Sequence, residues 1–288
     1  MSPEQGFDES VDEFLAAQTH LRSAALQPDL PVCKSCRGAV GLLIGFSEVN
    51  ERYELCAPCW GYRHGQRVEQ HGLADGIFPL LYAVSGRDQT SRDMWNYKDP
   101  RLGGPNDNIA FAGLASVLYV TLRDHWPCLQ SNTGTSPECV TVIPSTQKPG
   151  QPSPLLELVT RVLRRLPLPT QVQELLSYRG PSTTAGGKQR GVVDPELFSA
   201  ERIDPGEDIL LVEDTWVSGS HAQSGATALK RAGARSVTVL VLARWLDPRH
   251  APGEYLLEAL PNLPQPGSEI CPFVTPGLHR CLASATHH

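Results

Sequence analysis

The stretch DILLVEDTWVSGSHAQSGATALKRAGA, residues 208–234, decides the fold. It opens with an apolar run, turns acidic at Glu213 and Asp214, passes through a small-residue loop and continues with helix formers. DILLVED has the length and apolar continuity of a buried strand, and SHAQSGATALKRAG reads as a helix closed by Gly233. A helix that begins near Gly219 leaves its first backbone N–H groups unpaired, and its dipole favours an anion there. Val217, Ser218, Gly219, Ser220 and His221 form the intervening turn. Gly219 permits close backbone approach, and the Ser218 and Ser220 hydroxyls can donate to oxygen. Together these describe a phosphate cradle. Glu213 and Asp214 sit at the carboxyl end of the strand, where open α/β sheets bind ligands. Two carboxylates would repel a bare polyphosphate, but they suit sugar hydroxyls or a divalent metal. A ribose carrying a terminal phosphate satisfies both halves.

Outward from this stretch the pattern repeats. CVTVIP reads as a strand ended by Pro144, SPLLELVTRVLRRLP as an amphipathic helix and SVTVLVLARWL as a further strand. NDNIAFAGLASVLYVTLRDHW reads as a long helix capped by Asn106 or Asp107, and SVDEFLAAQTHLRSAAL, from Ser10, as an N-terminal helix with Ser10 as its cap. Strands alternating with helices predict βαβ crossovers and a parallel sheet. The expected organisation is a helical extension over 1–30, a small zinc-binding module over 31–65, an α/β domain over 76–247 and a tail over 248–288.

The chain has 288 residues, 40% of them hydrophobic, and a net charge of −6. It is large enough for one sizeable core. The charge argues against a surface for duplex DNA and does not favour nucleic-acid partners. The N-terminus MSPEQGFDESVDEF is acidic and polar, unlike a secretory signal, and VTVLVLARWL is too short to span a bilayer. The expectation is a cytoplasmic protein with no membrane partner.

Among the eight cysteines, Cys33, Cys36, Cys56 and Cys59 follow the spacing C-x2-C-x19-C-x2-C. Two such knuckles can close a tetrahedral four-thiolate site, and structural zinc is the expected occupant. The other reading of the same residues is reducible disulfides or unligated thiols. The intervening GLLIGFSEVNERYEL reads as a hairpin too small to build a core, so metal would supply much of its folding free energy. The remaining cysteines are scattered. Cys139 opens a strand and suits a core, while Cys271, His279 and Cys281 have the chemistry of partial ligands to a second site.

The sequence ILLVEDTWVSGSH resembles the 5-phosphoribosyl diphosphate (PRPP) motif of type I phosphoribosyltransferases. In that family the acidic pair contacts the ribose 2- and 3-hydroxyls, which implies Glu213 and Asp214. The loop holding the 5-phosphate implies Val217, Ser218, Gly219, Ser220 and His221. Val217 stands where the family usually has Thr, or Asp in purine-salvage members, and His221 stands where Thr often closes the loop. Zinc knuckles ahead of such a domain resemble the order in ComF-type proteins. Their tyrosine- and lysine-rich segment resembles LLYAVSGRDQTSRDMWNYKDP here, with Tyr82, Tyr97 and Lys98.

The resemblance implies a type I phosphoribosyltransferase-like parallel sheet and transfer of a phosphoribosyl group from PRPP to a nitrogen nucleophile, with Mg2+ accompanying PRPP. A pyrophosphate loop is implied at VTVIPSTQKPG, through Ser145, Thr146 and Lys148. By its residues alone this is a strand-ending turn. A hood loop is implied at GGKQRG, where Lys188 and Arg190 join Glu213 and Asp214 as the candidate catalytic set. By composition alone this is a solvated loop. Trp216 either stacks on an acceptor ring or packs in the core. The acceptor is an unidentified small molecule. A second class of function is a regulatory or DNA-uptake-associated protein that binds PRPP or a nucleotide without turnover. A homo-oligomer or a protein partner through the zinc module also fits.

Overall fold

The computed structural model describes residues 3–27, 29–40, 54–65, 72–181, 191–249, 253–274 and 281. The quoted stretch forms β6 (Asp208–Trp216) and α6 (Ser220–Arg231). β6 pairs in parallel with β2 (Cys139–Val142) on one side and β7 (Ser236–Leu246) on the other. β7 pairs in parallel with β1 (Gly76–Val84), and β2 with β3 (Gln171–Val172), giving the order β1-β7-β6-β2-β3. Parallel neighbours need crossovers, and these put helices on both faces. Alternation along the strands then builds two cores. Ile209, Leu211, Val237, Val239 and Val241 face a layer containing α6 residues and the four knuckle cysteines. Leu210, Val212, Leu240 and Leu242 face a layer built on α4 (Ile109–Thr133) and α5 (Pro154–Leu163). Burial on both faces is why these strands read as unbroken apolar runs. The expected mixed α/β architecture, a central parallel sheet flanked by helices with a Cys-rich module near the N-terminus, is the one the chain adopts.

The helix ends refine the sequence reading. The cap of α4 is Asn108, whose side chain accepts from the Ala110 and Phe111 N–H groups, rather than Asn106 or Asp107. α4 also runs past Trp126, through Pro127, to Thr133. Ser10 is not a cap. α1 (Pro3–Ala17) begins earlier, and Ser10 lies inside it with Oγ donating back to the Phe7 carbonyl at 2.7 Å, a common fate of serine within a helix. Beyond Ala17 the chain leaves the helix. Ser23 bridges Leu81 in antiparallel fashion, the Ala24 N–H donates to the Leu80 carbonyl and the Tyr82 N–H donates to the Arg22 carbonyl. This short segment covers the outer edge of β1, which would otherwise offer unpaired backbone groups. The antiparallel pair β4 (Leu176–Tyr178) and β5 (Phe198–Ala200) precedes β6 in the chain. The hairpin expected between the knuckles lies mostly outside the described residues. Among the described residues, no helix is long and apolar enough to cross a membrane.

Candidate functional site

The parallel register fixes what meets at the carboxyl edge of the sheet. Val142 of β2 lies beside Val212 of β6, so the segments that follow both strands leave from the same edge. β6 runs on to Trp216, with Thr215 and Trp216 still paired to Ala243 and Arg244 of β7. Gly219 then turns the chain into α6 with a φ of 86°, a left-handed conformation that favours glycine. The Ser218 and Ser220 hydroxyls lie 3.2 Å apart on this turn, and Val217 is 59% exposed.

The structure decides between the two readings of Trp216 and gives Gly219 a second reason. Trp216 is fully buried with no exposed surface, so it packs and cannot stack on a ligand ring. The requirement for Gly219 comes from Trp216 as well, because a Cβ there would stand 2.0 Å from the indole Cζ2.

The two carboxylates have different surroundings. Glu213 is 5% exposed, and its Oε2 is buried without a hydrogen-bond partner. Burial pushes its pKa well above the usual carboxylate range, and the neighbouring Asp214 charge adds to the shift, with Lys98 opposing it. Asp214 is half-buried and ion-paired with Lys98, and it accepts from the Tyr97 hydroxyl at 3.0 Å. Tyr97 and Lys98 follow α3 (Gln89–Asn96), which the β1 carboxyl end leads into. Asp88 caps this helix by accepting from the Ser91 N–H. The sequence offered Tyr97 and Lys98 only through a family resemblance. No spacing rule connects them to Asp214.

Ser145, Thr146 and Lys148 lie on the turn after β2, where the Lys148 N–H donates to Ser145 Oγ at 3.1 Å. Lys188 and Arg190 lie outside the described residues. The chain resumes at Gly191 beside the β6–α6 turn, where a Cβ on Gly191 would be 3.8 Å from Ser218 Cβ. Shortly afterwards the Asp194 N–H donates to Ser224 Oγ of α6 at 2.9 Å.

Cys33, Cys36, Cys56 and Cys59 converge as a buried cluster. The Cys36 and Cys56 sulfurs are 3.5 Å apart, close to the ~3.8 Å edge of a zinc tetrahedron with Zn–S near ~2.3 Å. The four thiols therefore fit a structural metal. Hydrogen bonds from the other three cysteines, Cys33 foremost, hold Cys36 well below the usual thiol range, and the Arg244 charge adds to this.

Arg244 also ties the cluster to the turn. Its Nη1 donates to the Trp216 carbonyl at 2.9 Å and the Val217 carbonyl at 3.0 Å. The guanidinium passes so close to Gly38 that a Cβ there would stand 2.2 Å from Nη2. Burial works against this charge, and the thiols of Cys36, Cys56 and Cys59 favour it. A second tie comes from α2 (Ala57–His64), where the Tyr62 hydroxyl lies 3.1 Å from both the Ser218 and the Gly191 carbonyls. Sequence reading passed over both residues. The available signal was an arginine inside the apolar run VTVLVLARWL, because a charge on a buried strand needs a partner.

Comparison with protein-family models and with curated proteins finds no match for this chain.

Proposed function

We propose that the chain binds PRPP at the carboxyl edge of β6 and transfers its phosphoribosyl group to a nitrogen nucleophile. One observation carries this reading. A buried carboxyl with an unpartnered oxygen, Glu213, adjoins Asp214, and five residues after Asp214 a left-handed glycine opens α6. The strand end suits ribose hydroxyls, and the helix start suits a phosphate.

In this reading the 5-phosphate rests on the backbone of Val217–His221, and the ribose hydroxyls donate to Glu213 and Asp214. Ser145, Thr146 and Lys148 receive the pyrophosphate, helped by Lys188 and Arg190 from the segment that ends beside Ser218. The bond from the anomeric carbon to the pyrophosphate oxygen breaks, and a bond from that carbon to the acceptor nitrogen forms. Positive charge builds on the ribose and negative charge on the leaving group, so cationic groups around the pyrophosphate stabilise the transition state. Lys98, already at Asp214, is one such group. Mg2+ arriving with PRPP would neutralise diphosphate charge, with the Asp214 carboxylate as the accessible oxygen donor. The knuckle cluster takes no part in the chemistry, because four thiolates leave no open coordination position.

Support for this reading comes from the local geometry of the β6–α6 turn and from the resemblance of ILLVEDTWVSGSH to the PRPP motif. The test is pyrophosphate release from PRPP and Mg2+ with a panel of amines and bases, run alongside binding. Turnover with at least one acceptor is expected. Binding without turnover with any acceptor would move the reading to a PRPP-sensing module, and no binding would remove it.

A further inference from the structure

Seven of the eight cysteines fall into two groups, and the second group includes a histidine. His125 and Cys128 lie three residues apart on α4, so both project from one face of the helix. His125 is 0% exposed and Cys128 is buried. Cys271 and Cys281 come from the tail and complete a cluster whose four ligand atoms lie within 4.8 Å of one another. The Cys281 sulfur is 3.7 Å from the Cys128 sulfur and 3.5 Å from His125 Nδ1. A tetrahedral zinc site with Zn–S near ~2.3 Å and Zn–N near ~2.0–2.1 Å has edges of about 3.8 Å between sulfurs and about 3.5 Å between sulfur and nitrogen. Both observed separations match those edges.

The surroundings also suit a metal. His125 Nε2 is buried and makes no well-formed hydrogen bond. The ring nitrogen that faces the cysteines is Nδ1, which makes it the ligand atom. Contacts other than the metal already dock the tail on α4 and β1. Arg123 Nη2 donates to Ser268 Oγ at 3.2 Å, and Phe273, two residues past Cys271, is buried with its ring 5.1 Å from that of Phe78. Cys271 and Cys281 are therefore brought to His125 and Cys128 by packing, a preformed site rather than a chance encounter of thiols.

We propose that His125, Cys128, Cys271 and Cys281 bind a second structural zinc ion that fastens the C-terminal tail to α4. Three thiolates and one imidazole close the coordination sphere, so this site holds structure and does not catalyse. Of the residues read from sequence as partial ligands, Cys271 and Cys281 belong to it, and His279 lies outside the described residues. Helix α4 supplies the other two.

The test is the zinc content of the full chain, purified under reducing conditions and dialysed against EDTA. Two zinc ions per chain are expected, falling to one in Cys281→Ser. Cys281 is only half-buried, so serine leaves the core intact, and a far-ultraviolet dichroism spectrum confirms that the variant folds. His125→Asn is the second variant and should also hold one zinc ion. Substitution with Co2+ gives an independent reading, since the loss of three thiolate ligands lowers the sulfur-to-cobalt charge-transfer band. One zinc ion in both wild type and Cys281→Ser overturns the proposal. So does an unchanged count of two in both variants, or a Cys128–Cys281 disulfide that persists in protein purified under reducing conditions.

Discussion

The knuckle cluster draws its ligands from a tight turn, Cys33–Cys36, and from the first turn of α2, Cys56 and Cys59, whereas the second cluster joins two residues of α4 to two of the tail. The ligand chemistry is nearly the same, but the assembly is different. Each knuckle is local, so its spacing is visible in the chain. The second cluster exists only after α4 has packed on the sheet and the tail has crossed it. The two also lie in core layers on opposite faces of the sheet. The knuckle layer reaches the β6–α6 turn through Arg244 and Tyr62, and no hydrogen bond among the described residues links the second cluster to that turn. A metal in the knuckle cluster should therefore support the proposed ligand site, and one in the second cluster should support only the tail.

The sharpest way to break this contrast is Cys36→Ser. Structural zinc supplies about 10–16 kcal/mol of apparent binding free energy in small modules, so losing a ligand should unfold the knuckle region and abolish PRPP binding. Zinc analysis and calorimetry check it. Retained PRPP affinity in a variant that has lost the knuckle zinc would show that the cluster and the turn are independent.

A smaller effect is expected from Arg244→Met, which keeps both sets of ligands and cuts the link. Removing one partner of a buried charged group costs about 3–5 kcal/mol. Urea melts should show that loss, and PRPP affinity should fall although Arg244 touches no ligand. If stability falls while affinity holds, the guanidinium is only packing.

The smallest effect concerns Glu213. Its pKa is raised in the folded state, so the native protein holds a proton there that the unfolded chain has released. Stability from this group is therefore complete below the ordinary carboxylate value and declines as pH rises above it, toward the raised native value. Thermal melts between pH 4 and pH 8 should show this decline in wild type and a flatter dependence in Glu213→Gln. Equal slopes in the two proteins would contradict the burial of this carboxyl.

What was legible in the chain follows the same division. β6, α6, β7 and α5 were legible because each is a local pattern bounded by its own turn or cap, such as Ser153, whose side chain accepts from the Leu156 N–H. β1 was harder to read. GIFPLLYAV carries Pro79, which cannot donate to a ladder and is tolerated at this end of the sheet. Glu213, Asp214 and Gly219 were visible as a candidate site, but their partners were not. Lys98 reaches Asp214 from the far side of α3, and Arg244 reaches the turn from the neighbouring strand. Trp216 was open to two readings, and its side chain fills the space under Gly219.

The central claim is that the Glu213–Asp214 strand end and the Val217–His221 turn form one PRPP site. Isothermal titration of PRPP with Mg2+ into wild type and Asp214→Asn tests it most directly. Asparagine keeps the shape of the half-buried side chain and removes a charge-assisted acceptor worth about 1.5–3 kcal/mol, so affinity should fall roughly ten- to a hundredfold. Equal affinity in the two proteins, or no PRPP binding by the wild type, would contradict the account.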